Sequence, residues 1–155
     1  MLSLPDDAFY LSDQSALIAS SYLRLLKRPL LPAACGPEAF AKALFYAPFA
    51  VVSHNTENDP VFNYANAKAL QLFEMDWEEF TRTPSRLSAE PVDRQERDRL
   101  LAKVAERGYI DDYHGIRISK NGKRFMIRNA VVWNLSDQAG RYQGQAACFS
   151  DWEFL

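Results

Sequence analysis

Cysteine is scarce in this chain. Cys35 and Cys148 are the only two, and neither belongs to a CxxC pair. A disulfide framework is therefore excluded, and inert thiols in a reducing compartment are expected. An excess of charge is missing too: 18 basic and 20 acidic side chains leave a formal net charge of -2. A nucleic-acid surface needs Lys and Arg in excess on one face, so DNA and RNA are not expected partners, the local basic spot Arg24, Lys27 and Arg28 notwithstanding. No apolar run approaches the ~20 residues that span a bilayer, which argues against a membrane partner. The start, Met1-Leu2-Ser3-Leu4-Pro5-Asp6-Asp7, lacks the basic-then-apolar order of a signal peptide. A cytoplasmic location is the expectation. The two histidines, His54 and His114, fall on separate predicted strands without a dense cluster of other ligands, which leaves a metal site unsupported.

What remains is a globular composition. At 155 residues the chain is the size of one domain, 48% hydrophobic, with ten Phe, seven Tyr and three Trp available to fill a core or line a pocket.

Periodicity divides the chain into a helical front and an α/β remainder. Ser12 or Asp13 is placed to cap a helix whose apolar positions Leu17, Ile18, Tyr22, Leu25 and Leu26 recur at helical spacing, until Pro29 stops it. Pro37 opens a second, short helix through Phe40 and Leu44. The pattern then changes: residues 49–54 and 61–64 predict two strands joined by a turn at 57–60. Asn66 predicts a helix cap, and Asp76 with Glu79 has the spacing of a capping box. Residues 83–88 predict a loop or a single turn. Asp93 and Glu96 repeat the capping spacing before a helix with Leu100, Leu101, Val104 and Ala105 on its apolar face and Gly108 as its stop. Its charged residues, Arg97 among them, predict a solvated face. Strands follow at 113–119, at 124–135 after the hairpin dipeptide Asn121-Gly122, and at 142–149. Strict alternation along 124–135 places Phe125, Ile127, Asn129, Val131, Trp133 and Leu135 on one face. Two strands at one end and three at the other combine into a five-stranded antiparallel sheet covered by helices on one face, an α+β architecture with an enclosed space between the layers.

The stretch Phe62-Asn63-Tyr64-Ala65-Asn66-Ala67-Lys68-Ala69-Leu70 resembles the strand-to-helix entry of PAS domains. Pro84-Ser85-Arg86-Leu87-Ser88-Ala89-Glu90-Pro91, Arg117-Ile118-Ser119-Lys120-Asn121-Gly122-Lys123-Arg124-Phe125 and Ala130-Val131-Val132-Trp133-Asn134-Leu135 are more specific, and resemble the MEKHLA domain family of the PAS-like superfamily from about Phe40 onward. That resemblance implies residues 1–36 as an N-terminal helical extension and 37–155 as the PAS-like domain. It also implies a sensory role, with Ser150-Asp151-Trp152 similar to the point where an output linker begins. With the chain ending at Leu155, a stand-alone type without its own effector is expected. PAS haem resembles sites ligated by a His on the long helix, and photochemical flavin sites use a Cys in the helical region. Residues 76–107 hold neither type, which disfavours both, leaves non-covalent flavin open and leaves the cofactor unknown.

Six residues are candidates to line a ligand site. Tyr64 and Trp133 are large enough to form its wall, although filling the core is the commoner use of such rings. Asn129, predicted inward, either orients a ligand or satisfies a backbone group. Arg117 and Arg128 suit an anionic ligand, or else an exposed sheet face, and Arg86 with Glu90 suits an ion pair over the pocket. Ser85, Ser88, Asp111 and Asp112 have no recognisable catalytic partners, so an enzyme is not expected. The expected function is sensing or regulation through a small molecule or a protein partner. The alternatives are a ligand-free interaction module and, last, an enzyme on a cone-like α+β fold. The front helix either mediates a homodimer or caps its own domain.

Overall fold

The computed structural model of the chain describes residues 4–89 and 94–155. Helix α1 (Ala8–Leu26) begins earlier than the cap expected at Ser12 or Asp13, because the Asp7 carboxylate accepts from the Tyr10 amide at 2.9 Å and so satisfies a free donor of the first turn. Leu11, Ile18 and Tyr22 recur at helical spacing along its buried side, interleaved with the small or neutral polar Gln14, Ser15 and Ser21. Helix α2 (Pro37–Phe45) starts on Pro37, where the missing amide donor costs nothing.

Strands β1 (Ala50–His54) and β2 (Phe62–Ala65) form the expected hairpin. Asn66 caps α3 (Ala67–Phe73), and Asp76 caps the single-turn α4 (Trp77–Phe80) through the Glu79 amide at 2.8 Å. A 3₁₀ turn (Ser85–Ser88) precedes α5 (Arg94–Arg107); the cap expected at Asp93 lies outside the described residues. Three longer strands follow: β3 (Tyr109–Ile118), β4 (Arg124–Ser136) and β5 (Tyr142–Phe149).

The spatial order is β2-β1-β5-β4-β3, with antiparallel neighbours throughout. A sixth strand, β6 (Asp151–Phe154), was not foreseen. It continues β5 along β4, with Val131 opposite Cys148 and Arg128 opposite Asp151, so the stretch expected to begin a linker is sheet.

Both faces of the sheet are covered. One face, with α3, α4 and α5, builds a core from Val52, Phe62, Phe73, Phe80, Val104, Phe125, Ile127 and Val132. The other builds a second core from Val51, Tyr64, Val131, Trp133 and Leu135 against Leu11, Ile18 and Tyr22 of α1 and Leu44 of α2. The front helix thus packs on its own sheet, and the fully buried Trp133 indole donates to the Ile18 carbonyl at 3.2 Å. Among the described residues no helix is long and apolar enough to cross a membrane.

The strict alternation expected for β4 fails at Asn129. This residue adopts a left-handed φ of 53°, a conformation that Asn tolerates better than most side chains. The β3–β4 register shifts on either side of Tyr113, which pairs with Ala130. The extra residue flips the phase. Phe125 and Ile127 share the inner core with Ala130 and Val132, whereas Val131, Trp133 and Leu135 face α1.

Candidate functional site

The space that the layered architecture calls for lies between α5 and the inner sheet face. A cavity of about 110 Å³ has Leu100 and Leu101 of α5 above it and Val52, Ile127, Val132 and Ala147 of the sheet below, with Phe62, Phe73 and the Ser85–Ala89 turn at its sides. Its polar groups are few: His54 at the end of β1, Arg97 on α5, Tyr113 and Arg117 on β3, Gln145 on β5, and Ser85 and Ser88. Mostly apolar walls with a few convergent polar groups are the usual make-up of a small-molecule site.

His54 is placed by alternation, since Val52 and His54 point the same way along β1. Its Nδ1 lies 2.8 Å from the Asn55 carbonyl, which suits a neutral ring with the proton on Nδ1. Burial, reinforced by the nearby Arg97 charge, holds its pKa below the ordinary histidine value. A neutral His54 binds fewer protons than the unfolded chain as pH falls below about 6.5. Stability is therefore expected to fall on acidification through that range, and His54→Gln is expected to weaken the dependence. Urea midpoints at pH 7 and pH 5 measure it; equal slopes for wild type and variant contradict the assignment.

Arg117 is fixed more firmly than Arg97. It donates to the Tyr113 hydroxyl at 3.1 Å and to the Ile116 carbonyl at 2.9 Å, with its guanidinium 5.4 Å from the Tyr113 ring centre. Among the described residues, Arg97 makes no salt bridge, and no carboxylate lines the cavity.

Of the six residues singled out in the sequence, only Arg117 lines this cavity. Tyr64 and Trp133 are buried in the other core. Burial drives the Tyr64 pKa well above its ordinary value, and although the Ser15 hydroxyl lies nearby, neither hydroxyl has an aligned partner among the described residues. Asn129 is exposed, its backbone N–H donating to His114 Nδ1 at 3.3 Å, so the inward position expected from alternation is corrected by the bulge. Arg128 pairs with Glu153 of β6 at 2.6 Å. Arg86 pairs with Asp59 at 3.1 Å on the surface, where a buried pair had been expected; Glu90, its expected partner, lies outside the described residues. The sequence marks His54 only as an unsupported metal ligand and Arg97 only as part of a solvated face, and it gives Gln145 no role. Alternation from Val52 could have marked His54, but Arg97 is indistinguishable in sequence from its solvated helical neighbours.

The residues do not fit a flavin held as in a photochemical site. At about 110 Å³ the cavity is well below the ~300–1,000 Å³ of clefts that enclose drug-sized ligands. Neither thiol lines it: Cys35 is exposed, and Cys148 packs against the outer-face core, where burial pushes its thiol up to about 12. Among the described residues no three His, Cys, Asp or Glu side chains gather as metal ligands.

The chain matches the MEKHLA domain over residues 12–154. No curated protein is significantly similar to it in sequence. Its fold is similar to the PAS domain of a Colwellia psychrerythraea protein, with a TM-score of 0.61 at 16% identity over 74% of this chain and 92% of that one. It is also similar to a light-oxygen-voltage domain studied with a flavin analogue, with a TM-score of 0.59 at 20% identity over 74% and 83% of the two chains. The light-state dimer of the fungal blue-light photoreceptor Vivid gives a TM-score of 0.57 at 16% identity over 84% and 91%.

Proposed function

The chain belongs to the MEKHLA family of the PAS-like superfamily, and from that premise we propose that it is a sensory or regulatory module that binds a small molecule between α5 and the inner sheet face. The observation that carries this reading is the cavity itself, an apolar space with His54, Arg97, Arg117 and Gln145 at its polar positions. In this reading residues 37–155 are the PAS-like unit, residues 1–36 are an N-terminal extension whose helix α1 lies on its outer face, and the protein acts in the cytoplasm without catalysing a reaction.

Strand β4 supplies the route for a signal. Ile127 and Val132 touch the cavity, while Val131 and Trp133, neighbours of Val132, hold α1 on the other side of the sheet. A ligand that shifts β4 or its twist changes the seat of α1, and α1 with its flanks carries the change to a protein partner or a second copy.

A second reading, a ligand-free interaction module, is favoured by an apolar groove between α1 and the segment before α2. Ala16, Ala19, Leu23, Leu30, Leu31 and Phe40 line it, and Leu23 is 50% exposed. Native and denaturing masses of gently purified protein separate the two. Ligand sensing predicts extra mass that is lost on denaturation, or mass gained on adding small organic compounds. A bare chain that gains none of them, and is recovered only as a dimer or with a protein partner, selects the interaction module.

A further inference from the structure

We infer that the cavity selects a small organic anion, a carboxylate with a short apolar body, whose charge is held by Arg97 with Arg117 as the second cation. The inference rests on reading the cavity as a ligand site and adds the class of ligand. Size sets the first limit. A cavity of about 150 Å³ in another protein takes up a benzene ring, so about 110 Å³ has room for a body of about four or five carbon atoms, or for one ring with slight relaxation.

Charge sets the second limit. Arg97 and Arg117 line the cavity, and among the described residues no carboxylate does. Arg117 spends only part of its donor set on Tyr113 and Ile116, and its remaining N–H groups are available to an acceptor. Arg97 has no salt bridge among the described residues, and its charge already acts on His54. Desolvating either cation over an apolar pocket is unfavourable until an anion arrives, and the anion then gains charge-assisted hydrogen bonds in a setting poor in water.

A cation as ligand meets repulsion from both arginines. A neutral ligand leaves them uncompensated. His54 adds a pH signature. The charged and titratable groups that share the cavity with it are Arg97 from α5 and Tyr113 and Arg117 from β3, of which Arg97 acts on its charge, while Gln145 of β5 and the Asn55 carbonyl are neutral. A bound carboxylate offsets Arg97 and favours protonated His54, so binding takes up a proton and tightens as pH falls through the histidine range.

Calorimetric titration of the full chain tests this with four probes: pentanoate, benzoate, and the neutral isosteres pentanamide and benzamide, at pH 7.5 and pH 6.0. At least one carboxylate is expected to bind about tenfold or more tightly than its amide, and more tightly at pH 6.0. Arg97→Gln, on a solvent-facing helix, is expected to abolish that preference while circular dichroism and the urea midpoint stay near wild type. Equal affinity for acid and amide overturns the anion inference and leaves the cavity a ligand site. A preference that survives both Arg97→Gln and Arg117→Gln overturns the assignment of those cations. If no probe binds at millimolar concentration and native mass spectrometry shows a bare chain, the ligand-site reading falls as well.

Discussion

Gly144→Ala is expected to destabilise the protein by about 3 kcal/mol or more, enough to leave much of it unfolded at ambient temperature. Gly144 lies in β5 opposite Leu135 of β4, with φ at 125°. A Cβ at this position overlaps the His54 carbonyl oxygen and meets its carbon at 3.2 Å. Those are backbone atoms at the end of β1, so no side-chain rotation relieves the overlap, and the backbone conformation is itself strained for an L side chain. The change must push β1 from β5 at the edge of the cavity. Gly122→Ala is the control: its φ is 88°, but nothing lies within 4 Å of the added carbon, so only the conformational cost of about 1 kcal/mol applies. Urea denaturation of both variants makes the comparison. Equal costs contradict the close approach of Gly144 to His54.

Asn66→Ala is expected to cost a similar amount, about 3 kcal/mol, for a different reason. The Asn66 side chain is fully buried, and all four of its hydrogen bonds are to backbone. Its Oδ1 accepts from the Val51 amide at 3.0 Å and from the Ala69 amide at 3.2 Å. Its Nδ2 donates to the Leu44 carbonyl at 3.1 Å and to the Phe49 carbonyl at 2.7 Å. One amide thus ties the end of α2, the start of β1 and the first turn of α3. Alanine removes the partner of four backbone groups, of which the Leu44 carbonyl keeps a bond from the Ala47 amide at 3.3 Å, so the loss exceeds the ~1 kcal/mol of an ordinary helix cap. Asn66→Asp is expected to do at least as much harm, because a carboxylate directs oxygen at both carbonyls that now receive N–H groups. Thermal or urea unfolding measures both variants, and a loss near 1 kcal/mol for alanine reduces Asn66 to a simple cap.

Asn66 also shows how far sequence reasoning reached. Its capping role was legible because the Asn sits just before an apolar helical run, a local signal. Its bonds to Leu44, Phe49 and Val51 depend on how three elements meet and leave no mark in the spacing. The same distinction runs through the fold. Pro37, the Asp76–Glu79 pair and Asn121-Gly122 were local punctuation, and the element order followed from them. The phase of β4 was not legible, because the bulge at Asn129 depends on pairing with β3. That single residue misdirected the site as well: counting straight through it put Trp133 and Phe125 on one face, although they lie in different cores. Strand β6 escaped notice because it is short and borrows its register from β5.

The site was less legible than the fold for a physical reason. The cavity draws residues from all five strands of the main sheet path, α3, α5 and the 3₁₀ turn, and its cations are ordinary members of charged or alternating stretches. Arg117 was found because it stands on a strand beside a recognisable motif. Arg97 takes its meaning from the sheet beneath it, which helical spacing cannot report.

Nuclear magnetic resonance shift mapping with benzoate decides whether the inner-face cavity takes a ligand, because it reports where a ligand sits whatever its affinity in the millimolar range. A ligand seated between α5 and the inner sheet face gives saturable amide shifts at His54, Arg97, Leu100, Ile127, Val132 and Gln145, with smaller shifts passing through Val131 and Trp133 to α1. Shifts confined to α1, α2 and the groove between them, with the inner face unmoved, contradict that placement.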